Sequence, residues 1–176
     1  MGDKQIFRNC RFLGWQDTLW VDGKRAYFTN CYVEGRIDFI FGRATAVFEN
    51  CRIHATDGGC ITASSTDPQT PFGLVFLKCK ITCAEDRTFL GSPWDKGAAT
   101  AFLECELGEN LRPEGWKEWR GEEHHKTARF VEYRNTGPGA NTSKRPAWTR
   151  RLSDAEAKNY TVENILGGED RWDPTK

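Results

Sequence analysis

Five segments of the chain share one seven-residue pattern: IFRNCRF at 6–12, YFTNCYV at 27–33, VFENCRI at 47–53, VFLKCKI at 75–81 and AFLECEL at 101–107. Their cysteines are Cys10, Cys31, Cys51, Cys79 and Cys105. Three places before each stands a phenylalanine (Phe7, Phe28, Phe48, Phe76, Phe102), and two places after it an apolar residue (Phe12, Val33, Ile53, Ile81, Leu107). The cysteines follow one another at steps of 21, 20, 28 and 26 residues. Fixed columns at a period of about 20–50 residues mark a solenoid. The repeated residues are aromatic and β-branched and show no helical periodicity, so each unit is built of strand. Cysteine and the residue two later share one strand face, whereas the phenylalanine has the opposite parity. All three point inward only if the chain bends beside the cysteine, where Asn9, Asn30 and Asn50 stand. One such bend per coil describes an all-β fold, a right-handed parallel β-helix, with coils about 4.8 Å apart and like residues stacked in ladders. The aligned cysteines then form a buried ladder of small apolar side chains. The longer steps imply loops inserted on one side of the stack.

The pattern continues at Phe130–Tyr133 as a sixth strand. Residues 135–147 read as a loop by composition. Residues 152–158 read as a short helix, with Ser153 and Glu156 spaced as a capping box, and a short C-terminal helical tail is expected on the outer face. Residues 108–127 are charged and polar and read as a long external loop. A single domain over 1–176 is expected. Lys+Arg 25 balances Asp+Glu 25, which argues against a basic nucleic-acid footprint and against an anionic-membrane binder. No apolar run is long enough to span a bilayer, and the first ten residues hold no signal-peptide region. The seven cysteines include no CxxC pair, and His124 and His125 are adjacent, so no metal site is expected.

Seven places after the cysteine stand Asp17 in the first coil and Asp38 in the second, 21 residues apart. If the register holds, the two carboxylates stack roughly 5 Å apart. Ten places after the cysteine stand Trp20, Phe41, Ile61 and Phe89, an apolar column that suggests the register persists. Two carboxylates that close do not both ionise easily, so one pKa rises. The result is either a nucleophile and acid pair or two solvated aspartates in turns.

The segments Gly14–Trp20 (GWQDTLW) and Gly35–Gly42 (GRIDFIFG) resemble signature motifs of the pectin methylesterase (pectinesterase) family. So do Leu90–Trp94 (LGSPW) and Glu132–Ala140 (EYRNTGPGA). The resemblance implies hydrolysis of methyl-esterified galacturonan to pectate and methanol. In it Asp38 is the nucleophile that attacks the ester carbonyl. Asp17 protonates the leaving methanol and then serves as base for water. Gln16 donates to the oxyanion, and Trp94 stacks on the sugar. Phe39 and Phe41 divide between cleft wall and core, with Phe39 taken as a substrate contact. No metal or organic cofactor is implied. The implied partner is pectin or homogalacturonan, with no nucleic acid and no membrane, and the chain is expected to be a monomer. The full-length family member is secreted, extracellular or periplasmic, whereas this chain shows no signal peptide.

Two departures stand out. The family motif reads Leu-Gly-Arg-Pro-Trp, and Ser92 stands here at the arginine. That arginine holds the nucleophilic carboxylate by a charge-assisted bond; a serine gives one neutral bond at most, and Lys96 or Arg36 are the nearest substitutes in sequence. The family also carries an upstream strand with a further oxyanion glutamine. Its absence here leads to the expectation of a truncated N-terminus and an unpaired edge near Phe7. A catalytically impaired galacturonan-binding β-helix is therefore the competing expectation. A third is a polygalacturonase, whose paired aspartates would lie about 6.5–9.5 Å apart.

Overall fold

The computed structural model describes residues 2–176. Its strands form three ladders. The first runs Gln5–Arg8, Arg25–Thr29, Thr45–Glu49, Leu74–Leu77, Ala99–Leu103, Arg129–Tyr133 and Arg150–Arg151. The second runs Arg11–Leu13, Tyr32–Gly35, Arg52–Ala55, Lys80–Cys83 and Glu106–Leu107. The third runs Leu19–Trp20, Ile40–Gly42, Gly59–Ser64 and Thr88–Pro93. All pairings are parallel, and each of the first four coils contributes one strand to each sheet in turn. This is the parallel β-helix that the repeat predicts.

The columns behave as read. Phe7, Phe28, Phe48, Phe76 and Phe102 pair in register and stack face to face, with centroids 4.4–4.8 Å apart. The bend lies where the asparagines place it. Asn9, Asn30 and Asn50 sit at φ of 53–55°, and so do Lys78 and Glu104 in the later coils. Asparagine tolerates this left-handed backbone, whereas lysine and glutamate are held there by the ladder. The Lys78 amide donates to Leu103 O of the next coil (3.0 Å), and the Glu104 amide to Tyr133 O (2.8 Å). All seven cysteines are free thiols. Those of the ladder also supply weak donors at the bend: Cys51 Sγ lies 3.4 Å from Glu49 O and 3.5 Å from Phe28 O, and the other buried members repeat the geometry.

The first sheet is covered on both faces, which explains why its strands are continuously apolar. Tyr27, Val47, Val75, Ala101 and Val131 point outward against Leu152, Ile165 and Leu166 of the tail. The tail holds two short helices, Asp154–Ala157 and Val162–Leu166. The first carries the expected capping box, with Ser153 Oγ accepting from Glu156 N and the Glu156 carboxylate accepting from Ser153 N. The tail returns to the first coils, where the Arg25 guanidinium donates to Asp3, Asp170 and the Leu166 carbonyl. Among the described residues no helix is long and apolar enough to cross a membrane.

Two expectations need correction. The apolar column Trp20–Phe41 does not continue through Ile61 and Phe89. Phe41 pairs with Ala63, and Ala63 with Ser92. Phe41 stands 10 places after its cysteine, Ala63 stands 12 and Ser92 stands 13. The turns between the second and third sheets lengthen down the stack, so a fixed count from the cysteine fails after the second coil. The segment 108–127 is not wholly external either. Leu111 and Trp116 are buried in the core.

Trp116 has a structural reason to be there. In the sixth strand Phe102 pairs with Glu132, so a carboxylate takes the place of the next phenylalanine. The Trp116 indole packs between Phe102 (5.8 Å) and Phe130 (4.6 Å) and continues the aromatic core. Its Nε1 donates to Glu132 Oε1 at 3.0 Å. Arg145 completes the site with Nε to Oε1 at 2.7 Å and Nη2 to Oε2 at 3.0 Å.

Candidate active site

Asp17 and Asp38 occupy the turns that lead from the second sheet to the third. Both sit on left-handed backbone, at φ 54° and 52°, where a short polar side chain is tolerated better than a long one. The Asp17 amide donates to Ile37 O at 3.1 Å and the Leu19 amide to Phe39 O at 2.8 Å, which sets Asp17 directly against Asp38 in the neighbouring coil. The coil-to-coil spacing of about 4.8 Å separates them. The turn is tight because Gly35 precedes it. A Cβ there would meet Phe39 Cβ at 2.3 Å and Thr18 Oγ1 at 2.7 Å. We therefore expect Gly35→Ala to lower unfolding stability by about 1–3 kcal/mol, measured by chemical denaturation. A loss within ±0.3 kcal/mol, on the order of experimental error, would contradict this account of the turn.

The two carboxylates differ in environment. Asp17 is exposed on the first coil. Asp38 is half-buried, and burial pushes its pKa up from 3.8 to about 6, helped by the facing Asp17 and opposed by Arg120 and Lys117. Asp38 lines a cavity of about 370 Å³ together with Cys60, Phe89, Ser92, Lys117 and Trp119. Burial and the Asp38 charge hold the Cys60 thiol up at about 12, so it is not a nucleophile.

The remaining expected residues distribute as follows. Ser92 is buried and lines the cavity. Gln16 is exposed beside Asp17 and bridges to Ile37. Trp94 is exposed and meets Phe41 edge-on at 6.0 Å; Phe41 in turn stacks on Trp20 at 6.1 Å and 4°. Phe39 lies in the core with no exposed surface, so it offers nothing to a substrate. Within the strand Ile40–Gly42 the residues on either side of Phe41 are buried and Phe41 is half-buried, so the outward role falls to Phe41. Exposed Trp20 and Trp94 thus flank the half-buried Phe41 in an aromatic strip. The substitutes expected for the missing arginine are engaged elsewhere or distant. Arg36 pairs with Asp57 at 3.1 Å and covers Trp15, and Lys96 is exposed outside the cavity. Lys117 and Arg120 line the cavity with Asp38, and their charge opposes the rise of its pKa. Neither was singled out by its spacing in the sequence; the buried Trp116 that places them is visible only in three dimensions.

Fold and site together define a parallel β-helix in which Asp17 and Asp38 stand in register on neighbouring coils. The pectinesterase family model matches residues 1–169. Pectinesterase 31 of Arabidopsis thaliana is 40% identical over 170 residues, which cover 95% of this chain and 54% of that protein. The solved pectin methylesterase from carrot superposes with a TM-score of 0.89 at 33% identity, covering 96% of this chain and 58% of that one. A pectin methylesterase solved in complex with a hexasaccharide superposes with a TM-score of 0.84 at 29% identity, covering 99% and 59%. The chain belongs to the pectinesterase family. It spans between 30% and 54% of the length of the curated relatives it matches.

Proposed function

We propose that the chain demethylates methyl-esterified galacturonan, with Asp38 as nucleophile and Asp17 as acid and base. The observation that carries this reading is the register of Asp17 against Asp38, whose carboxylate lines the cavity. An Asp38 carboxylate oxygen attacks the ester carbonyl carbon. The resulting oxyanion takes a hydrogen bond from the Gln16 amide. As the tetrahedral intermediate collapses, the C–O bond to the methoxy group breaks and Asp17 delivers its proton to that oxygen, releasing methanol. Asp17 then removes a proton from water, which hydrolyses the mixed anhydride and returns both carboxyl groups to their starting states. Trp94, Phe41 and Trp20 offer faces for sugar rings.

The nucleophile works only when ionised. With Asp38 titrating at about 6, kcat/KM is expected to fall about tenfold for each pH unit below that value. A flat profile from pH 4.5 to 7 would contradict Asp38 as the ionising group. Product analysis separates the reaction classes. Methanol without new reducing ends is expected from highly methylated galacturonan. New reducing ends without methanol would establish a glycosidase, and neither product would leave a galacturonan-binding β-helix. Ser92 favours that last reading, because it gives Asp38 no cation.

A further inference from the structure

We propose that the segment Trp116–Arg120 supplies, through Lys117 and Arg120, the positive charge beside Asp38 that the serine at position 92 cannot give. The proposal rests on the esterase reading above for its role in turnover, and on geometry for its placement.

Trp116 bridges in parallel to Gly91, and the Lys117 amide donates to Gly91 O at 3.0 Å. Lys117 therefore follows the strand as the next coil's neighbour of Ser92, the position where the family motif carries arginine. Its Nζ lies 5.8 Å from the Phe89 ring centre, on the cavity wall. Arg120 lines the same cavity, its guanidinium 5.1 Å from the centre of the Trp119 ring. The segment is not free to drift. Trp116 is fixed in the core and bonded to Glu132, which Arg145 holds in turn. The groups that face Asp38 are Asp17 from the first coil, Cys60 from the third sheet, and Lys117, Glu118 and Arg120 from this segment; Arg36 and Arg87 are both paired with Asp57. Lys117 and Arg120 are thus the cations left to offset Asp17. Both are exposed, so water screens them, and their action on Asp38 is weaker than that of a buried arginine in contact. They act as positioning residues through the Asp38 carboxylate.

The test is the titration of Asp38, followed by ¹³C NMR of its side-chain carboxyl, in the full chain and in Lys117→Met, Arg120→Met and the double variant. NMR reads Asp38 whether or not the protein turns over, so failure of the esterase reading and failure of this one are distinguishable. The double variant is expected to raise the Asp38 pKa by about one unit, with each single variant giving part of the shift. If methanol is released, the acidic limb of its kcat/KM profile moves by the same amount, and Ser92→Arg in the double variant moves it back. Lys96→Met, outside the cavity, leaves both readouts unchanged. An Asp38 titration identical in the parent and the double variant, with both folded by circular dichroism, would overturn the proposal.

Discussion

Replacing Asp38 by asparagine is expected to abolish methanol release and, at pH 7.5, to make the protein more stable. The first effect follows from the loss of the attacking oxygen. An amide cannot form the mixed anhydride, and we expect kcat to fall by at least ~10³-fold, on the scale seen when a covalent catalyst loses its nucleophile. The second follows from linkage. The folded-state pKa of Asp38 is raised from 3.8 to about 6. The folded chain therefore binds this proton more tightly than the unfolded chain. The associated stability is fully present below the unfolded value and is lost as pH rises through the folded value. At pH 7.5 the ionised side chain costs about 2 kcal/mol, allowing for its partial exposure. Asparagine keeps the size and tolerates the left-handed backbone at φ 52°, so Tm should rise by about 4–8 °C. The gain should shrink toward zero near pH 4, where the aspartic acid is protonated. A variant that is both inactive and less stable at pH 7.5 would mean that Asp38 holds the turn rather than straining it.

The second large effect lies away from the groove. Arg145 and Glu132 are paired with only 5% of either side chain exposed. Glu132 also accepts from Trp116. Arg145→Met would leave a buried carboxylate with the indole donor and a 3.4 Å contact from Asn135 Nδ2. Stranding one member of a buried pair costs about 3–5 kcal/mol, which is a large part of the stability of a typical domain. The double change Arg145→Met with Glu132→Leu removes both charges and should recover most of that loss. Equilibrium unfolding of the two variants checks this. If the single change costs under ~1 kcal/mol, the level of an exposed pair, the network does not anchor the segment that carries Lys117. Because that segment reaches Asp38, the single variant should also shift the acidic limb of activity upward.

How much of this was legible in the sequence depends on how far each feature is local. The bend beside the cysteine was legible because a strand has a period of two and asparagine marks the left-handed turn. The later coils use Lys78 and Glu104 at the same φ, and neither residue type announces it; the neighbouring coils impose it. The stacking of Asp17 on Asp38 was legible because each stands seven residues after its coil's cysteine. The count failed at Ala63 and Ser92 because the turns there gain residues, which shift register without leaving a mark in the apolar pattern. Phe39 and Phe41 share a parity, but Phe39 lies in the turn before the strand Ile40–Gly42, outside its alternation, and enters the core, whereas Phe41 within the strand stays half-buried. Lys117 and Arg120 were hidden inside a stretch that reads as a solvated loop. Their placement depends on Trp116 and Glu132, which lie 16 residues apart in the chain and meet at the end of the aromatic ladder.

The central claim is that the carboxylate pair is a working esterase site although serine stands at position 92. The most direct test counts methanol molecules released per folded chain from highly methylated galacturonan at pH 7.5, with Asp38→Asn in parallel. The account predicts methanol in clear excess over protein, and none above background from the variant. Background methanol from a folded parent chain that still binds galacturonan would contradict it.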